Sequence, residues 1–307
     1  MSLKYAVVGT GAIGGFYGGK LAHAGKDVHF LFRSDYEYVK SHGLVIDSVD
    51  GDFVLPQINA YNNTEDMPKC DVVLVCLKST NNHQLKYLLP PILHKESLVV
   101  LIQNGLGLED DLLKDFPELS IAGGLAFICS NKIGDGHIAH LDYGKLNIGA
   151  YSNSDEALVA SVISDFVESG IDARQVNLTE SRWMKLVWNI PFNGMTVVLN
   201  TETNVLMDNP VTESLMRDIM VEVVDAANCV LKNKIADSYV DEMLEMTRQM
   251  KPYSPSMKLD FDAGRPLEIK YIYSRPIEEA AKAGCIMPRV SILEKQLKFI
   301  NAGLIHK

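Results

Sequence analysis

Residues 4–14 read KYAVVGTGAIG, a short apolar run followed by glycines at Gly9, Gly11 and Gly14. A stretch with helical spacing comes next and ends at Gly25; a second apolar run, DVHFLFR, fills 27–33. Strand, glycine turn, helix and strand in that order is the setting in which G-x-G-x-x-G carries physical meaning. Gly9 permits the tight turn, Gly11 lets backbone approach a pyrophosphate, and Gly14 lets the helix lie close to the sheet. Ala12 and Ile13 open that helix, whose free amides favour phosphate. Gly9, Gly11, Ala12, Ile13 and Gly14 are therefore expected to bind a dinucleotide.

The end of the second strand selects which one. An acidic residue there accepts hydrogen bonds from ribose hydroxyls and marks NAD. This chain has FLFRSD instead, with Arg33 at the tip. A guanidinium suits a 2′-phosphate, so NADP(H) is the expected cofactor. Asp35 stands two residues further on and leaves the choice open to NAD.

The continuous apolar runs DVVLVCLK (71–78) and SLVVLIQNG (97–105) predict strands covered on both faces, hence a parallel sheet with helices on each side. Residues 44–56 predict a hairpin around Asp50–Gly51, 118–129 a strand, 136–150 a second hairpin, 155–170 a helix and 171–176 a last strand. The texture then changes. Helical patterns alone occupy 180–200, 211–233, 237–250, 266–283 and 288–302. The fold class is α/β followed by all-α: a Rossmann-type doubly wound sheet in 1–178 and a helical domain in 179–307, with the active site expected in the cleft between them.

Ligands in such sheets sit beyond the carboxyl ends of the strands. Lys78 and Asn104 stand there. Lys78 is expected to face the cofactor or an anionic substrate, and Asn104 the ribose or the substrate. On the largely apolar helix 180–200, Lys185, Asn189 and Asn193 recur at i, i+4 and i+8 and share one face. Burying a lysine beside two amides is costly unless the stripe lines a polar cleft. Pro191 within this helix predicts a kink. Further on, Gly264 and Pro266 predict a helix start that places Glu268 in the first turn, where the dipole favours an ionised carboxylate.

Composition narrows the classes. The net charge of −10 argues against a nucleic-acid binder, which needs a basic face. No apolar run approaches the ~18 residues of a membrane span. Five cysteines without a CxxC predict a cytoplasmic protein with no disulfides. His137 and His140, three apart on a predicted strand, point to opposite faces, and no spacing looks like a metal ligand set.

These pieces resemble the ketopantoate reductase family over nearly the whole length. The carrying residues are GTGAIGG with Arg33, CLKS with Lys78, QNG at 103–105, WMKLVWNIPFNG with Lys185, Asn189 and Asn193, and SMKLDFDAGRPLEI with Ser256, Asp260 and Glu268. The resemblance implies a second domain like that of 6-phosphogluconate dehydrogenase. It implies NADPH-dependent reduction of 2-dehydropantoate to pantoate on the way to coenzyme A, with a homodimer by analogy. Lys185 resembles the catalytic lysine and Glu268 its acidic partner; Asn189, Asn193 and Ser256 resemble substrate contacts. Lys78 and Asn104 resemble residues near the nicotinamide and the substrate. The chain departs from the family at Gly194–Met195, where Pro-Leu is common, at Lys270 in place of an acid, and at Tyr273–Ser274 in place of Asn-Gly. Those departures are expected to border the substrate pocket. A reductase of another keto acid, and a non-catalytic NADP(H) sensor, are the competing readings.

Overall fold

The computed structural model describes residues 2–305. The chain divides into Met1–Gln103 with Leu108–Leu178, and Asn104–Gly107 with Thr179–Lys307.

The first unit is built on ten strands: β1 Lys4–Val8, β2 Asp27–Leu31, β3 Leu44–Ser48, β4 Phe53–Leu55, β5 Asn59–Tyr61, β6 Val72–Val75, β7 Leu98–Ile102, β8 Ser120–Gly134, β9 His137–Ser152 and β10 Ala173–Gln175. Its helices are α1 Ala12–His23, α2 Tyr36–His42, α3 Leu85–Leu88, α4 Leu108–Asp115 and α5 Glu156–Glu168. The strands lie in the order β4-β3-β9-β8-β7-β6-β1-β2-β5, with β10 beside β9. The run β5-β2-β1-β6-β7-β8 is parallel throughout and reverses direction of travel at β1, which puts a ligand crevice beyond the ends of β1 and β6. Strands β1, β6 and β7 are almost wholly buried, as expected of apolar runs covered on both faces.

The sheet is mixed, not purely parallel. Strands β3 and β4 form the expected hairpin, but β8 and β9 form a second, much longer antiparallel pair. Its turn falls at Asp135–Gly136, so the hairpin lies between the two segments and not within 136–150. The turn-like residues inside β9 have another role. Tyr143 and Gly144 have φ of +62° and +123°, and pairing slips there from Phe127–Lys145 to Ile128–Tyr143, leaving Gly144 as a bulge.

The second unit is helical: α6 Leu178–Val198, α7 Thr203–Asp208, α8 Pro210–Val230, α9 Ser238–Gln249, α10 Ser256–Asp262, α11 Arg275–Lys282 and α12 Pro288–Ile305. A π-helical turn, Lys270–Ser274, runs directly into α11. Helix α6 stays helical through Pro191. Its core gathers Trp183, Leu186, Val187, Ile190 and Phe192 of α6 against Met216, Met220 and Val223 of α8 and Val290, Leu293 and Leu297 of α12. Each unit thus buries its own core.

One expectation about the cysteines fails. Cys229, at the end of α8, and Cys285, between α11 and α12, are joined as a disulfide with Cα atoms 6.5 Å apart. Cys70, Cys76 and Cys129 are free thiols. No helix of the described residues is long and apolar enough to cross a membrane.

Candidate active site

The glycine turn is shaped by close contact. Gly9 has φ +97°, and a Cβ there would stand 2.6 Å from the Leu77 amide nitrogen. A Cβ on Gly14 would meet the Gly9 carbonyl at 2.4 Å, so α1 lies directly on the end of β1. At Gly11 nothing of the protein comes within 4 Å of the same point. The Thr10 hydroxyl donates to the Leu31 carbonyl at 2.9 Å and ties the turn to the end of β2. Helix α1 begins without a side-chain cap and without an acidic residue in its first turn. Its leading amides, including those of Ala12, Ile13 and Gly14, are the donors that a helix leaves unsatisfied. An open glycine facing an uncapped helix start has the space and the donors that a pyrophosphate would need. These residues fit the expected dinucleotide.

Around this cradle, Arg33 is exposed just beyond β2. Lys78, also exposed, immediately precedes the 3₁₀ turn Ser79–Gln84 after β6. Gln103 at the end of β7 is buried, donates to the Leu77 carbonyl at 2.6 Å, and exchanges hydrogen bonds with the Asn82 amide at 2.7 and 3.1 Å. That clamp fixes the loop after β6, which carries Leu77 and Lys78. Gln103, part of the QNG run at the end of this strand, carried no role of its own in the sequence; its place here is to hold that loop.

The second polar centre lies on α6. Lys185 is partly buried, and its pKa is lowered to about 7. Burial is the main cause; the Arg182 charge adds to it, and the Glu268 carboxylate opposes it. Asn189 is 5% exposed and its side chain makes no hydrogen bond among the described residues. Asn193 is 2% exposed, and its Oδ1 is buried without a partner. Buried amides are ordinarily paired, so two unpaired ones in line with a lysine leave polar capacity that the protein itself does not use. Ser256, partly buried, opens α10, and its hydroxyl likewise has no partner among the described residues.

Glu268 is 5% exposed. It precedes the helix that starts at Ile269, so it does not fall inside a first turn. The Gly264–Pro266 segment is still a turn, and the chain becomes helical only after Glu268. Two contacts hold this segment: Arg265 Nε donates to the buried Asp260 carboxylate at 2.9 Å, and the Leu267 amide donates to Asn301 Oδ1 at 2.8 Å. Asp260 thereby supports the segment that ends in Glu268.

Arg182 is the residue that sequence reasoning missed. It is 3% exposed and lies one turn before Lys185. Its Nη1 donates to the Gly105 carbonyl at 3.0 Å. The Leu106 amide donates to the Tyr271 carbonyl at 2.8 Å, within the π-helical turn. Gly105 has φ +109°, and a Cβ there would stand 2.5 Å from that same carbonyl. Asn104 is thus anchored, through its neighbour Gly105, beside the helix that carries Lys185. An arginine three residues before the lysine on a largely apolar helix was the available signal.

Two family models match the chain: Ketopantoate reductase PanE/ApbA over residues 5–153 and Ketopantoate reductase PanE/ApbA C terminal over 177–301. The chain belongs to the ketopantoate reductase family. A 2-dehydropantoate 2-reductase of Nostoc sp. is 47% identical over 304 residues, covering 97% of this chain and 95% of that protein. The crystal structure of a 2-dehydropantoate 2-reductase from Geobacter metallireducens superposes with TM-score 0.93 at 41% identity, covering 96% of this chain and 99% of that one. A D-mandelate dehydrogenase bound to NADH and anilino(oxo)acetate shares the fold, with TM-score 0.88 at 21% identity over 99% of this chain and 100% of that one. This ketopantoate reductase family member is an oxidoreductase with a nicotinamide cofactor.

The departures from the family pattern fall at both packed and exposed positions. Tyr273 is fully buried, and its hydroxyl donates to the Ile190 carbonyl at 3.0 Å. A Cβ at position 194 would stand 2.8 Å from that hydroxyl. Gly194 and Tyr273 are therefore two halves of one packing solution behind α6. Ser274 hydrogen-bonds Glu294 on α12. Lys270 is exposed, with Nζ 4.8 Å from the centre of the Tyr271 ring. Among the described residues, no group of three or more His, Cys, Asp or Glu is placed to hold a metal.

Proposed function

We propose that this chain reduces 2-dehydropantoate to pantoate with NADPH, using Lys185 as the proton donor. One observation carries the reading. A lysine whose pKa is lowered to about 7 by burial shares a helix stripe with two amides that find no protein partner, within electrostatic reach of a buried glutamate. A proton donor works best with a pKa near the operating pH, and an ordinary lysine is far above it.

The Gly9–Gly14 turn, the α1 amides, Arg33, Lys78 and Asn104 are the residues that would hold the cofactor. Bound there, NADPH would supply the hydride that the carbonyl carbon of the keto acid needs. Negative charge then develops on the carbonyl oxygen. The Lys185 ammonium stabilises that charge, passes it a proton to complete the hydroxyl, and is reprotonated from solvent. Glu268 accepts a hydrogen bond from the substrate hydroxyl and keeps part of Lys185 protonated. Asn104, Asn189, Asn193 and Ser256 orient the carboxylate and hydroxyl groups, so that little motion is left to freeze during reaction.

The departures near α6 are packing changes at buried positions, and this supports 2-dehydropantoate over another keto acid. The proposal also places the enzyme in the cytoplasm as a homodimer, on the family resemblance. The test is NADPH consumption by the purified protein over a panel of 2-keto acids. The expected result is a kcat/KM for 2-dehydropantoate at least about tenfold above any other acid, a difference that one or two side-chain contacts supply. NADPH binding without turnover of any acid would mean a sensor instead.

A further inference from the structure

The end of β2 carries two side chains of opposite charge, and the structure treats them differently. Arg33 is exposed and has no ion-pair partner among the described residues. Asp35 is turned inward, with its side chain 5% exposed. Its carboxylate takes the Lys132 ammonium, the Ser34 hydroxyl at 2.8 Å and the Gly136 amide at 3.2 Å. Burial alone would raise this carboxyl; the donors outweigh it and hold its pKa below the usual aspartate value. Lys132 belongs to β8 and Gly136 to the turn into β9, so both come from the long hairpin. Lys132 is 31% exposed and has a second carboxylate, Asp135, at 4.0 Å.

A carboxylate just beyond the second strand is the group that dinucleotide sites use to hold free ribose hydroxyls, and its charge repels a 2′-phosphate. Here that carboxylate exists in sequence but is withdrawn by a lysine from another part of the sheet. The same fold takes NADH in a D-mandelate dehydrogenase, so the choice of cofactor rests on local groups and not on architecture.

We propose that Lys132 is a specificity-determining residue for the cofactor: by holding Asp35 inward it leaves Arg33 as the charge that meets the ribose, and so selects the 2′-phosphorylated dinucleotide. Lys132 acts through Asp35 and does not itself touch the phosphate. The inference rests on the NADPH reading of this end of the sheet.

The experiment is calorimetric binding of NADP⁺ and NAD⁺ to the parent, Lys132→Met, Asp35→Asn and the double variant, with steady-state constants for NADPH and NADH as a second readout. A parent that binds neither nucleotide, or prefers NAD⁺, defeats the NADPH reading itself before any variant is compared. With that reading intact, Lys132→Met releases Asp35 and lowers the NADP⁺ to NAD⁺ affinity ratio by about tenfold or more, as an added charge near the phosphate would. Asp35→Asn retains the parent's preference, and the double variant returns to within about threefold of the parent, because the cycle isolates the coupling. A double variant as weak for NADP⁺ as Lys132→Met would mean that the lysine binds the phosphate directly and overturns the proposal. An unchanged ratio in Lys132→Met overturns it equally. Lys132→Gln keeps a hydrogen-bond donor for the buried carboxylate and so protects the fold; it shifts the ratio the same way by a smaller factor, and no shift in a folded Lys132→Gln counts against the proposal.

Discussion

The turn after β1 and the stripe on α6 are built from different materials. The first is backbone: glycines brought against other backbone, and amides at an uncapped helix start. The second is side chains: a lysine, an arginine and amides on α6, with Glu268 from a later segment, whose properties depend on each other's charge and burial. A backbone site tolerates most changes except those that fill its space. A side-chain site is retuned by neutral changes at its neighbours. Four outcomes test that contrast.

The largest effect falls on the side-chain site. Lys185→Ala loses the group that meets the developing charge, and kcat falls roughly 10²–10³-fold, the usual loss for one such donor. NADP⁺ affinity stays near that of the parent. Turnover within about threefold of the parent, under the same reasoning, would remove Lys185 from the chemistry.

Next comes the backbone site. Gly9→Ala forces a left-handed residue and a Cβ 2.6 Å from the Leu77 nitrogen. Strain of this kind costs about 1–3 kcal/mol. Melting temperature and NADP⁺ affinity fall together, while the pH dependence of turnover is untouched. A parent-like Tm and Kd would show that the turn relaxes freely.

The third effect moves a pH profile. Reduction needs Lys185 protonated, so the rate declines as pH rises through its folded pKa of about 7. The Arg182 charge disfavours the ammonium and Glu268 favours it. Arg182→Met therefore carries the falling limb to higher pH, and Glu268→Gln carries it to lower pH. Limbs that stay in place in both variants would show that another group sets the profile.

The smallest effect concerns packing alone. Tyr273→Phe removes the hydrogen bond to the Ile190 carbonyl and costs about 1 kcal/mol of stability. Gly194→Ala crowds both the Tyr273 hydroxyl and Leu293. Chemical denaturation of the pair and the double variant should reveal non-additivity, as expected of residues in contact. Strict additivity would uncouple the two departures.

The contrast also explains what was readable in advance. The glycine turn was legible because its geometry is local: strand, turn and helix are consecutive, and each glycine's task is set within a few residues of it. The α6 stripe was legible because helical spacing alone aligns Lys185, Asn189 and Asn193. Asp35 was read as an ambiguity about the cofactor, and only the pairing with Lys132 on β8 shows where its charge goes. Arg182 escaped notice because its partner is a carbonyl in the loop after β7. The β8–β9 hairpin was misplaced because Tyr143–Gly144 carries the same signal as a turn while forming a bulge. The Cys229–Cys285 disulfide has no local signature.

The passage from α/β to helical texture, the glycine turn after β1 and the polar stripe on α6 were readable from the chain alone, because each follows from near-neighbour spacing and backbone sterics. Only the tertiary structure decided which charges face which: Asp35 against Lys132, Arg182 and Glu268 against Lys185, Tyr273 against Ile190 and Gly194. The reason is that Coulomb and burial energies depend on distance through space, and distance along the chain says little about it once the chain has folded.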